Sequence, residues 1–139
     1  MTTRWTNGDD GVGQAAAGDV PLIAIVDDDS SVRQSARRLI RSFGYRAEAF
    51  GSGRELLDAV ADEHPCCLVL DVRMPDMDGL EVQRRLAERG LRIPIVFLTG
   101  RASDEEERRA RSAGAIEFLR KPVETATLRQ VIERVCGQP

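Results

Sequence analysis

From residue 21 onward the chain repeats one alternation, a short apolar run followed by a stretch with helical periodicity. LIAIV (22–26), CCLVL (66–70) and IPIVFLT (93–99) are apolar almost throughout, and AIEFL (115–119) is a shorter run of the same kind. Short runs rich in β-branched residues read as buried strands. YRAEAF (45–50) alternates instead and reads as a more exposed strand. Between the runs, Val32, Ala36, Leu39, Ile40 and Phe43 share one helical stripe that Gly44 closes. Ser52 and Glu55 stand at capping-box spacing before Leu56, Leu57 and Val60. A helix from about Gly79 to Gly90 carries Leu80, Val82 and Leu86, and one over 124–136 carries Leu128, Val131, Ile132 and Val135. Central strands that are apolar on both faces must be covered on both faces, which implies a parallel sheet between two helical layers. The expected fold is an α/β doubly wound five-stranded parallel sheet, with right-handed crossovers leaving few topologies.

The helix expected over SDEEERRARSAG (103–114) differs from the others. Acids fill its first turn and arginines follow, as the helix dipole prefers. Glu105–Arg109 and Glu107–Arg111 have the spacing of intrahelical ion pairs. Its only apolar residues are Ala110 and Ala113, so it should be loosely anchored and easily shifted. Residues 1–19 are rich in Gly, Ala, Asp, Asn and Thr without periodicity and read as a disordered tail, leaving one globular unit over 20–137.

Several function classes are excluded at this level. The net charge of −3, from 20 basic and 23 acidic side chains, gives no basic footprint for nucleic acid. No apolar run approaches a membrane span, and the first residues do not form a secretory signal. Neither GxxxxGK[ST] nor a GxGxxG after a strand occurs, which argues against nucleotide hydrolysis. With no CxxC and a single histidine, His64, in a polar turn, a zinc site is not expected. The odd cysteine count and the adjacent Cys66 and Cys67 in an apolar run read as reduced thiols, the strand pair packing as small hydrophobes. A cytoplasmic location is the matching expectation.

In an open doubly wound sheet, ligands bind at the carboxyl ends of the strands. Here those ends carry Asp27 and Asp28, then Asp71, then Thr99, then Lys121. Carboxylates converging without histidine or cysteine form a hard oxygen site, and Mg2+ fits it. Asp29 reads as a helix N-terminal residue instead. An ammonium and a hydroxyl are natural partners of phosphoryl oxygens, and Asp71 is the nucleophile they surround.

IVDDD, LVLDVRMPDMDGLE, IVFLTG and GAIEFLRKPV together resemble the receiver domain of two-component response regulators over about residues 21–136, with wording closest to the FixJ-type branch. The resemblance implies a flavodoxin-like (βα)5 fold with strand order 2-1-3-4-5. It implies Asp71 as phosphoacceptor for a sensor histidine kinase, Asp27 and Asp28 with the Arg73 backbone carbonyl as further Mg2+ ligands, and Lys121 as the site's cation. It implies Thr99 and Phe118 as a switch pair, with Phe118 turning inward and the helix at 103–113 moving on phosphorylation. It also implies a cis Lys121–Pro122 bond, and no enzyme beyond assistance to the domain's own phosphorylation and dephosphorylation. Arg73 and Arg101, two residues past the acceptor and the switch threonine, either point into solvent or fold over the phosphoryl group, and the hypothesis taken is that they fold over it and lengthen its lifetime. The chain ends at Pro139 before any DNA-binding domain, so a stand-alone receiver with an unknown output protein is expected. The alternative is the receiver part of a FixJ-type transcription regulator. A phosphorylation-dependent homodimer through the output face is a further expectation.

Overall fold

The computed structural model describes residues 20–139. The expected disordered tail at 1–19 lies outside the described residues. The chain runs β1 (Leu22–Val26), α1 (Ser30–Ser42), β2 (Arg46–Phe50), α2 (Gly53–Ala59), β3 (Cys67–Leu70), α3 (Gly79–Glu88), β4 (Ile95–Thr99), α4 (Asp104–Ser112), β5 (Glu117–Arg120) and α5 (Thr125–Cys136). All pairings are parallel, in the order β2-β1-β3-β4-β5. This is the expected doubly wound, flavodoxin-like sheet.

Alternation along the strands divides the core into two layers, because successive side chains point to opposite faces. Leu22, Ala24 and Val26 of β1 join Leu56, Leu57, Val82, Leu86, Phe97 and Phe118 on one face. Ile23 and Ile25 join Ile40, Val69, Val96, Leu128, Val131 and Ile132 on the other. The three inner strands are buried throughout, while the edge strand β2 buries only Ala47 fully. β4 starts two residues later than the apolar run, after Pro94, which has no N–H to give a ladder. The Pro94 carbonyl still accepts from the Leu68 amide at 2.9 Å.

The helix starts follow from their capping residues. Asp29 caps α1, accepting from the amides of Ser31 and Val32 at 2.9 and 3.2 Å. Ser52 caps α2 through the Glu55 amide, but Glu55 reaches back to Gly51 rather than completing the box on Ser52. Ser103 and Glu106 form a full capping box at α4. In α4 the Glu107–Arg111 pair forms at 3.0 Å as its spacing suggested, whereas Glu105 pairs with Arg108 instead of Arg109. A spacing of three serves a helix face as well as one of four.

The reading of three reduced cysteines is corrected. Cys66, just before β3, is disulfide-bonded to Cys136 at the end of α5, with Cα atoms 5.9 Å apart across 70 residues of sequence. α5 returns its last turn to the start of β3, a juxtaposition with no local signal. Cys67 is free and buried, as expected of a small hydrophobe, and burial pushes its thiol up to about 12. The same end of the molecule is tied by the Tyr45 hydroxyl, which donates to the Gly137 carbonyl at 2.7 Å. His64 is exposed.

Candidate functional site

The polar strand ends meet in one cleft. It is lined by Asp27, Asp28, Asp29, Val32, Asp71, Arg73, Gly100, Arg101 and Lys121, and its volume is about 300 Å³. Each side chain arrives there because its strand ends there. β1 stops where Asp29 caps α1, which leaves Asp27 and Asp28 at the strand mouth. The Asp71 amide donates to the Val26 carbonyl at 3.1 Å, so the two acidic strand ends lie side by side. After Asp71 the chain turns through DVRMPDMDG, with Asp76 in the left-handed region at φ 66°. Asp78 then caps α3 through the Glu81 amide at 2.9 Å. Gly79 is required at this start, because a Cβ there would lie 2.2 Å from the Asp71 carbonyl oxygen. The first turn of α3 is thereby pressed against the residue at the centre of the cleft.

Asp27 and Asp71 are nearly buried, at 5% and 8% exposure, while Asp28 is exposed. A carboxylate oxygen from each of the three lies within 4.8 Å of the others. Asp27 is held on both oxygens: Oδ1 accepts from the Asp29 amide at 2.9 Å, and Oδ2 accepts from Lys121 Nζ at 3.0 Å. Its carbonyl accepts from the Arg33 guanidinium at 2.8 Å. Asp71 differs, since its Oδ1 is buried with no hydrogen-bond partner. Burial holds the Asp71 carboxyl above its ordinary range, and the Asp27 charge adds to the rise. The Thr99 hydroxyl, the Lys121 ammonium and the Arg73 amide oppose it.

This donor set fits a hard divalent cation. Three oxygen donors converge, one of them has an orphaned buried oxygen, and a single ammonium does not offset three carboxylates. The acidic pocket of Asp27, Asp28 and Asp71 could therefore bind a metal ion.

Thr99 is fully buried at the end of β4, and its hydroxyl donates to the Arg101 carbonyl at 3.0 Å. The Lys121–Pro122 bond is cis, as the resemblance implied. Two placements bear on the expected response to phosphorylation. Phe118 does not wait outside the fold, since its ring is already inside at 5% exposure, 5.5 Å from the Phe97 ring and covered by the Arg120 guanidinium. In an apolar strand the core claims an aromatic ring. Arg73 lines the cleft, but its guanidinium is paired with Glu106 of α4 at 2.9 Å rather than folded over Asp71. Sequence reading also missed Arg120, which donates to the Ala102 carbonyl and pairs with Glu107 and Asp104, tying α4 to β5. A basic residue next to Lys121 facing four acids at 104–107 was the available signal.

With fold and cleft described, the relationship to known proteins is direct. The response regulator receiver domain matches residues 23–133, and the chain belongs to that family. It is 46% identical over 101 residues to the response regulator protein TmoT of Ectopseudomonas mendocina, covering 73% of this chain and 46% of that protein. It is 42% identical over 110 residues to nodulation protein W of Bradyrhizobium diazoefficiens, covering 79% of this chain and 48% of that protein. The chain thus spans about half the length of these curated relatives. Among solved structures it resembles Vibrio cholerae chemotaxis protein CheY4, with a TM-score of 0.77 at 30% identity over 84% of this chain and 98% of that one. A receiver protein from Burkholderia phymatum gives 0.75 at 39% identity, over 86% and 97%. Among the described residues no helix is long and apolar enough to cross a membrane.

Proposed function

We propose that this domain takes a phosphoryl group from a sensor histidine kinase onto Asp71 and changes its output face in response. The observation that carries the reading is the convergence of Asp27, Asp28 and Asp71 around the orphaned Asp71 oxygen, in a cleft that Lys121 also lines. Asp71 is the acceptor, and its carboxylate oxygen bonds to phosphorus as the bond from phosphorus to the kinase imidazole breaks. The phosphorylated imidazole carries a proton on its other ring nitrogen, so the nitrogen that keeps the electron pair leaves as part of a neutral imidazole. Asp27, Asp28, Asp71 and the Arg73 carbonyl would hold Mg2+, which would supply charge neutralisation for the incoming phosphoryl oxygens. Lys121 Nζ, now on Asp27, stands ready to pair with a phosphoryl oxygen, and the Thr99 hydroxyl to leave the Arg101 carbonyl for another. Thr99 and Phe118 form the switch pair. Because Phe118 is already buried, the change at this ring is in what covers it, the Arg120 guanidinium and α4, rather than an inward turn.

The domain is a phosphoacceptor that assists its own phosphorylation and dephosphorylation, not a conventional enzyme. We place it in the cytoplasm, folded over about residues 20–137 and without direct nucleic-acid contact by this chain. In that compartment thiols are held reduced, so the Cys66–Cys136 bond would form there only under oxidising conditions. Acetyl phosphate with Mg2+ should add one phosphoryl mass to the wild type. Labelling that persists in excess chelator ends the metal role, and labelling at the same site in Asp71→Asn ends the acceptor role. A second reading, the receiver part of a longer FixJ-type DNA-binding regulator, draws on TmoT and nodulation protein W, which are about twice the matched length. The mass of the protein blotted from its own cells separates the two uses. Homodimerisation on phosphorylation is checked by sedimentation with and without acetyl phosphate.

A further inference from the structure

We infer that Arg73 is a positioning residue that exchanges partners. It holds Glu106 of α4 in the unphosphorylated protein and leaves it for the phosphoryl group on Asp71. This rests on the acceptor reading of Asp71 and adds a route from the cleft to α4 that does not pass through Thr99 or Phe118.

Three observations carry the inference. First, Arg73 lines the cleft that holds Asp71, two residues further along the same loop, so a swing of its side chain can bring the guanidinium over the acceptor. Second, its present partner is weakly held. The Arg73 side chain is 51% exposed and its contact with Glu106 is one 2.9 Å hydrogen bond, so solvent screens the pair and little is lost on breaking it. A phosphoryl group offers more charge than a carboxylate and a geometry that suits the guanidinium fork. Third, Glu106 is a structural member of α4. Its Oε1 also accepts from the Ser103 amide at 2.9 Å, and its own amide donates to the Ser103 hydroxyl at 3.1 Å. The arginine beside the acceptor is thus bonded to the carboxylate that closes the first turn of α4. That helix buries only Ala110 and is otherwise held by polar contacts, so the loss of one contact is a sizeable part of its anchorage.

Glu106→Gln is the clean perturbation. Glutamine keeps the capping box, since its amide oxygen still accepts from Ser103 N–H, and removes only the charge that competes for Arg73. The measurement is the affinity for beryllofluoride at saturating Mg2+, followed by the amide signals of Val26, Leu70 and Thr99. Glu106→Gln should bind about twofold to fivefold more tightly than wild type, the range expected when an exposed ion pair is no longer broken on binding. In an Arg73→Ala background, which keeps the backbone carbonyl, the same substitution should change the affinity by no more than the error. A purely structural role for Glu106 would give the same factor in both backgrounds, and that result overturns the exchange. Unchanged affinity in Glu106→Gln alone overturns it too. A wild type that takes up no beryllofluoride overturns the acceptor reading itself, which separates that failure from failure of the exchange.

Discussion

α4 and α5 are consecutive helices of one fold, held in opposite ways. α5 buries Leu128, Val131 and Ile132 against the sheet and ends in a disulfide to the start of β3. α4 buries Ala110 alone and is tied by Arg73 to Glu106, by Arg120 to Glu107 and Asp104, and by the Gln83 amide donating to the Ala110 carbonyl at 3.0 Å. Apolar burial is non-directional and is lost only by exposing surface to water. Exposed ion pairs are worth about 0–1 kcal/mol each and exchange partners readily. The lesson is that rigidity and mobility are distributed by the type of contact. The helix held by burial serves as a fixed reference, and the one held by charge can respond to a charge arriving in the cleft nearby.

The contrast is sharpest under truncation of the α5 face. Ile132→Ala should cost about 2–5 kcal/mol in urea unfolding, the range for a large aliphatic removed from a packed core. A loss below about 1 kcal/mol would mean that α5 is not the anchored helix. Next comes the covalent tie. Cys136→Ser, or reduction of the wild type, should lower stability by about 2–4 kcal/mol, because the bond closes a 70-residue loop in the unfolded chain. Hydrogen exchange in α4 should not change with it, and matching changes in both helices would break the contrast.

A smaller effect is expected at Asp71. The folded Asp71 carboxyl lies above its ordinary range, chiefly through burial. The native state therefore binds the proton more tightly than the unfolded chain, and stability falls as pH rises from the ordinary aspartate range through the folded value. In chelator at pH 7, Asp71→Asn should raise the melting temperature by about 2–6 °C, equivalent to about 1 kcal/mol. It should also flatten the fall in stability as pH rises above the ordinary aspartate range. A lower melting temperature in the variant would show that the ionised carboxylate is not a burden. The smallest global effect belongs to Arg120→Gln, which removes the ties to Glu107 and Asp104 at a cost below about 1 kcal/mol. Amide exchange in α4 should nevertheless speed up severalfold while α5 keeps its rate. Equal protection of α4 before and after would show that the charged ties do not hold it.

Most of this architecture could be read before any coordinates. Apolar β-branched runs bounded by turns became β1, β3 and β4, because no other placement buries residues on both faces of a run. Asp27, Asp28, Asp71, Thr99 and Lys121 were legible as a group, since a parallel sheet brings every strand's carboxyl end to one edge. Capping by Asp29 and the acidic first turn of α4 were legible because they depend on neighbours within four residues. Three features were decided only by the tertiary structure. The Cys66–Cys136 bond joins residues 70 apart, and its geometry exists only once α5 has returned to the start of β3. The Phe118 ring went into the core because the space beside Phe97 was there to fill. Arg73 and Arg120 chose Glu106, Glu107 and Asp104 from among many acids because the folded loops set them within reach. Periodicity and short-range chemistry are properties of the chain, whereas the partner of a long, flexible charged side chain is a property of whatever the fold puts next to it.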